Sequence, residues 1–209
     1  MSTPTNYATL QTEIANVLAR SDLTSDIPTF VKYGEVDLNN RLRLREMIAT
    51  TNINPSATLN YVSLPTGFLE LISFNDNYGS PLQEMGYEEI ADLQYGSGSG
   101  TSEYFALGAR IDFERPGNAA HNYPMRYYQR ADVVNDNAIS TAILLNYPNL
   151  YVYSALVHAQ PFIGDDSRIA TWKAFYEGAV REANSRSIQN NRKLRTEFNA
   201  QRFNILRGN

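Results

Sequence analysis

The chain has 209 residues, 43% hydrophobic and 19% charged, with a formal net charge of −4 and no cysteine. That length suffices for one well-buried domain, or one carrying a smaller insertion, and the missing thiols exclude disulfides, thiolate metal sites and cysteine nucleophiles. Tyrosine is the compositional outlier, with 14 Tyr against 9 Phe and 1 Trp; its ring buries a flat face and keeps a polar tip, at a core edge or in a protein interface.

The opening residues, MSTPTNYATLQTEI, carry neither the basic nor the apolar region of a secretion signal. No apolar run approaches the roughly 18 to 20 residues of a membrane helix, so a soluble chain is expected, with no membrane partner. Tyr7, Leu10, Ile14, Val17 and Leu18 are spaced as one face of an amphipathic helix from Tyr7 to Ala19. Ser25 and Asp26 as caps, with Pro28 in the first turn, announce a second helix. Its inner face is Phe30, Val31, Gly34, Leu38 and Leu42, and Arg41, Arg43 and Arg45 crowd its last turns. Cations there suit the negative end of the helix dipole; an intersubunit or nucleic-acid contact is the other use for them.

From about Thr50 the pattern turns to strands. Thr58 to Leu64, Phe68 to Asn75 and Tyr104 to Glu114 are β-branched, aromatic or alternating, separated by turn signals at Pro65–Gly67, Asn77–Gly79 and Pro116–Asn118. Met125 to Gln129 predicts another short strand, Glu84 to Gln94 a short helix, and Gly96–Gly100 (GSGSG) a flexible loop. After Val134 helices return. Asn146 or Tyr147 caps a helix with Pro148 in its first turn and Leu150, Tyr153, Leu156 and Val157 inward; Pro161 ends it and Gly164 makes the turn. Asp165 and Asp166 then cap a last helix with Ile169, Trp172, Tyr176, Val180 and Ala183 on one stripe.

Beyond Asn190 the apolar periodicity fades. Residues 186–209 hold Arg186, Arg192, Lys193, Arg195, Arg202 and Arg207 against Glu197 alone, a net charge of +5 hung from a body of −9. Such a tail orders on a partner rather than on a core of its own. The fold class expected is α+β: an antiparallel helical bundle with an inserted small β domain and an extended C-terminal arm. Its parts are an N-terminal helical hairpin (1–49), the β domain (50–135), a C-terminal helical hairpin (136–190) and the basic arm (191–209).

The chain offers little to catalysis. His121 and His158 stand in no metal-ligand spacing, and GSGSG has glycine where a nucleophile elbow needs serine and no Lys-Ser/Thr to follow it as a phosphate loop. Glu88 with Glu89 and Asp165 with Asp166 are adjacent pairs, which do not face each other on a helix. No catalytic, metal or cofactor-binding residue is expected.

The run Tyr7-x-x-Leu10-x-x-x-Ile14-Ala15-x-x-Leu18-x-Arg20-x-Asp22-Leu23, then Ile27-Pro28-x-Phe30-Val31-x-x-x-Glu35 and Asn40-Arg41-Leu42-Arg43, resembles the start of the head-to-tail adaptor (connector) proteins of tailed bacteriophages, podovirus-like in kind. Leu64-Pro65-x-x-Phe68-Leu69-Glu70-Leu71 fits the same family, as does Pro148-Asn149-Leu150-Tyr151-Val152-Tyr153 leading to Ala159-x-Pro161-Phe162-Ile163-x-Asp165-Asp166-x-Arg168-Ile169-x-x-Trp172. The resemblance implies a structural, non-enzymatic virion protein at the head–tail junction, assembled in the host cytoplasm. It implies a homo-oligomeric ring, usually a dodecamer, with portal protein above, the tail nozzle or tube below, and double-stranded DNA passing through without specific binding. The family's C-terminal arm commonly clasps the portal, which carries that role to Arg192, Lys193, Arg195, Phe198, Arg202, Phe203, Ile205, Leu206 and Arg207. The alternatives are a tail-associated peptidoglycan hydrolase, for which no acid stands in a distinctive context, and a DNA-binding module using Arg41, Arg43, Arg45 and the arm.

Overall fold

A computed structural model describes residues 3–56, 58–94, 98, 100–117, 122–131, 134, 141–164 and 166–206, with side chains as far as residue 188. The helices are α1 (Tyr7–Leu18), α2 (Ile27–Arg41), α3 (Tyr87–Gln94), α4 (Ala142–Asn146), α5 (Pro148–His158), α6 (Gln160–Ile163) and α7 (Arg168–Leu206). The strands are β1 (Ile48–Ile53), β2 (Tyr61–Ser63), β3 (Phe68–Phe74), β4 (Gln83–Glu84), β5 (Tyr104–Leu107), β6 (Arg110–Phe113) and β7 (Tyr123–Gln129). The fold is α+β, as expected, and the chain divides into two compact units, one of Met1–Glu46 with Ala131–Asn209 and one of Met47–Arg130.

In the helical unit α1 starts at a reciprocal cap: Asn6 Oδ1 accepts the Thr9 N–H at 2.9 Å while the Asn6 N–H donates to Thr9 Oγ1 at 3.0 Å. Ala19, in the left-handed region at φ 53°, closes it. The caps expected from Ser25 and Asp26 are not used. A 3-10 turn over Ser21–Asp26 runs straight into α2, so the backbone supplies what those side chains were expected to supply. Phe30, Val31, Gly34, Leu38 and Leu42 are buried as predicted.

At Gly34 the backbones of α2 and α5 come so close that a Cβ would lie 2.0 Å from Ser154 Oγ. Helix α5 corrects the single-stripe expectation. Leu150, Tyr151, Val152, Ser154, Ala155 and Leu156 are all buried, while Tyr153 and Val157 are half-buried. The reason is position: α5 packs on α1, α2 and α7 at once, and a helix enclosed on several sides has no single wet face. Helix α5 does stop just ahead of Pro161, at His158, and Pro161 then sits in the first turn of the short α6. Gly164 turns the chain at φ 77°. Thr141 caps the unexpected α4 by accepting the Leu144 N–H at 3.1 Å.

The other unit holds two sheets, β1-β7-β3 and β2-β6-β5-β4. Ile53, Phe74, Phe105, Ile111, Phe113, Tyr123 and Met125 form its core, and the buried Tyr123 hydroxyl is satisfied by the Ser102 N–H at 2.8 Å. The single strand predicted from Tyr104 to Glu114 is a hairpin of β5 and β6. Gly108, at its turn, admits the Tyr87 ring so closely that a Cβ would lie 2.2 Å from the phenol oxygen. Thr58–Leu64 contracts to β2, and β1, not foreseen, pairs along its full length with β7 from Ile48↔Tyr128 to Ile53↔Tyr123. The helix expected from Glu84 begins at Tyr87, because Gln83 and Glu84 pair with β5 as β4. Of the GSGSG loop, residues 96, 97 and 99 lie outside the described residues.

Candidate attachment site

Helix α7 is the feature around which the helical unit's polar contacts gather. Its 39 residues span about 58 Å at 1.5 Å per residue, roughly twice the diameter of a small domain. Of the predicted stripe, Trp172, Tyr176, Val180 and Ala183 are buried while Ile169 is half-buried, and Ser187 extends it. At its start Asp166 accepts the Arg168 N–H at 2.8 Å and pairs with its guanidinium at 2.7 Å. That guanidinium lies 5.0 Å from the centre of the Trp172 ring and donates to the Val17 and Leu18 carbonyls at the end of α1. Capping by Asp166 is therefore present; Asp165 lies outside the described residues.

Farther along, α7 is clamped to α2. Arg41 donates to Glu177 and lies 3.6 Å from Asp37, with its guanidinium 5.0 Å from the centre of the Tyr176 ring. Arg41 holds the Glu177 carboxyl below the usual carboxylate range. The Tyr176 hydroxyl donates to Asp37 at 2.6 Å. Asn184 completes the clamp by accepting the Arg43 N–H and donating to the Arg41 carbonyl, each at 3.1 Å. It bridges backbone groups that the end of α2 leaves without helical partners.

Of the three arginines read as dipole caps, Arg43 performs that role, donating to the Leu42 and Asn39 carbonyls at 2.7 and 3.1 Å. Arg41 is instead committed to α7, and Arg45 is exposed. Sequence reasoning missed Asp37, Glu177 and Asn184 altogether. The i, i+4 spacing of Asp37 and Arg41 was a usable signal; nothing in the sequence pointed to Asn184 as a bridge between segments 141 positions apart.

The backbone of 191–206, read as an arm beyond the last helix, continues α7. The side chains of Arg192, Lys193, Arg195, Phe198, Arg202, Phe203, Ile205 and Leu206, and all of Arg207, lie outside the described residues. So does His121. His158 ends α5 half-buried, with Nε2 unpartnered among the described residues and its ring 6.4 Å from that of Tyr33. Glu89 accepts the Gly86 N–H at 3.0 Å, a capping contact at the start of α3. Among the described residues no cluster suits a metal ion, and no helix is long and apolar enough to cross a membrane.

Here the ionisable groups join helix to helix and cap helix ends. This is the chemistry of a structural domain, whose described polar groups in the helical unit serve its own packing. The particular family follows from comparison: the SU10 adaptor protein model matches residues 5–198, and the chain belongs to that phage head–tail adaptor family, whose members are structural and not enzymatic. No curated protein matches the chain.

Proposed function

We propose that the protein forms a ring, of twelve copies, that joins the portal to the tail of a tailed phage and leaves a channel for DNA. The observation that carries this reading is membership of the adaptor family together with a final helix that continues to Leu206, far beyond the clamp at Asn184. The portal-binding segment is residues 191–209, with Arg192, Lys193, Arg195, Phe198, Arg202, Phe203, Ile205, Leu206 and Arg207 making the contact. Helical spacing supports it: at 3.6 residues per turn, positions 194, 198 and 205 fall in line with 176, 180, 183 and 187. Leu194, Phe198 and Ile205 thus repeat the body's stripe. An amphipathic segment of this kind seats its apolar side in a groove, and its excess of arginine favours acidic surroundings on the portal.

Below the ring the partner is the tail nozzle or tube protein. Double-stranded DNA passes without specific binding, since an acidic body repels phosphates. Deleting residues 191–209 should abolish binding to the portal ring while the thermal unfolding of the helical unit stays in place. Undiminished portal binding by the truncated chain overturns the reading. Electron microscopy of the full chain on its portal counts the copies.

A further inference from the structure

Two surfaces of the helical unit differ in shape and sign. On α2, Tyr33 and Val36 stand one turn apart and are 52% and 58% exposed. The Tyr33 hydroxyl makes no hydrogen bond among the described residues, and exposed Lys32 beside it forms no ion pair among them. On another side, a cavity of ≈ 200 Å³ opens between α1 and α5, with Thr3, Pro4, Glu13, Val17, Asn149 and Tyr153 among its lining residues. Phe175, 53% exposed, lies against Tyr153 with ring centres 5.3 Å apart.

That cavity is smaller than the roughly 300 to 1,000 Å³ of small-molecule sites and matches a single large side chain. Its walls combine the apolar Pro4, Val17, Pro148 and Val152 with the polar Thr3 and Asn149 and with Glu13, a carboxylate only 5% exposed that also has a contact within its own chain. A tyrosine suits such a place, because its ring takes the apolar walls and its hydroxyl has a carboxylate to donate to. The two surfaces cannot meet within one chain. On α5 the cavity is reached through Tyr153, whereas Tyr33 lies beside His158, five positions on and therefore roughly 140° around the helix.

We propose that Tyr33 of one copy seats in the Pro4–Val17–Tyr153 cavity of the next, its hydroxyl toward Glu13 and Lys32 at the rim, and that this contact repeats around the ring. The inference rests on the ring reading above and adds the contact between copies. A projecting side on one copy and a receiving side on its neighbour make a heterologous contact, the kind that closes into a ring when its rotation permits. An aromatic anchor in a desolvated pocket is also the usual centre of interface energy.

A photo-cross-linking benzophenone amino acid at position 33 tests this in the full chain, concentrated alone and bound to its portal. Mixing isotopically light and heavy chains identifies adducts between copies. Adducts joining position 33 to residues 3–17 or 148–153 of a second copy are expected. Adducts to other segments, or none between copies, overturn the contact; if microscopy still shows a ring, the ring reading survives that failure. Tyr33→Ala and Val17→Trp, which respectively remove the side chain and fill its cavity, should each weaken association between copies by about tenfold or more without lowering the melting temperature of the isolated chain. Association at wild-type strength in both variants, each with wild-type melting, refutes it.

Discussion

Tyr176 on α7 donates its phenolic hydrogen to Asp37 on α2 across 2.6 Å, tying the final helix to a segment 139 positions earlier. Burial first, and then the Asp37 carboxylate, push the phenol well above the ordinary tyrosine range, against an opposing pull from Arg41. A proton held more tightly in the folded chain stabilises it below the unfolded pKa of about 10 and ceases to do so as pH climbs through the folded value. Stability should therefore fall on the alkaline side of pH 10. Tyr176→Phe should remove that alkaline component and, by deleting a hydrogen bond to a charged acceptor, cost about 1.5 to 3 kcal/mol at neutral pH. Thermal melts of both chains from pH 7 to 11 check both effects.

Glu35 carries the opposite balance at neutral pH. Its carboxyl is raised above the usual range by burial, offset in part by the Val134 N–H that donates to Oε1 at 2.6 Å. Because its folded pKa is the higher one, its favourable contribution is present below the ordinary value and is lost as pH rises through the raised one. Above the ordinary carboxylate range, burial of Glu35 thus weighs against folding. Glu35→Gln retains the acceptor for Val134 and removes the buried charge, so it should raise the melting temperature at pH 7. The gain should vanish below about pH 4, where the wild-type carboxyl is itself neutral.

These two groups also mark where the sequence stops being legible. The stripe Trp172–Tyr176–Val180–Ala183 and the α2 face of Phe30, Val31, Gly34, Leu38 and Leu42 were readable because each helix buries one side, and periodicity reports that directly. Helix α5 was not, because α1, α2 and α7 all pack on it and Tyr151 and Val152 are buried along with Leu150. Strand β1, Ile48–Ile53, was missed since IATTNI is polar at its centre; its six-residue pairing with β7 is a long-range fact. The clamp of Asp37, Arg41, Glu177 and Asn184 is long-range in the same way. No local pattern pairs α2 with α7.

Asn184 offers a graded test of that clamp. Its amide donates to the Arg41 carbonyl and its oxygen accepts from the Arg43 N–H. Asn184→Ala should lose both bonds and cost about 1 to 3 kcal/mol, the range for two ordinary hydrogen bonds. Asn184→Asp keeps the acceptor and loses the donor, so its denaturant midpoint should fall between those of wild type and alanine. Amide hydrogen exchange should quicken at Arg43 in the alanine chain and much less in the aspartate chain. Equal exchange in all three would mean that the bridge contributes nothing to holding the end of α2.

The close approach of α2 and α5 at Gly34 predicts a coupling between substitutions. A Cβ at Gly34 would meet Ser154 Oγ at 2.0 Å, the Ser154 Cβ at 3.3 Å and the Ala155 nitrogen at 3.3 Å. The first contact is impossible without movement, whereas the others require a shift of a few tenths of an ångström. Gly34→Ala alone should therefore destabilise by about 1 to 3 kcal/mol, the range for overpacking a closed core, despite the higher helix propensity of alanine. Ser154→Ala removes the hydroxyl that the new methyl strikes. If the clash dominates, the double variant should be more stable than Gly34→Ala alone by well over the loss that Ser154→Ala causes by itself, a non-additive pairing of neighbours. Denaturant unfolding of the four chains measures the coupling directly; strict additivity would show that α2 and α5 separate freely at this crossing and that Gly34 sets no distance between them.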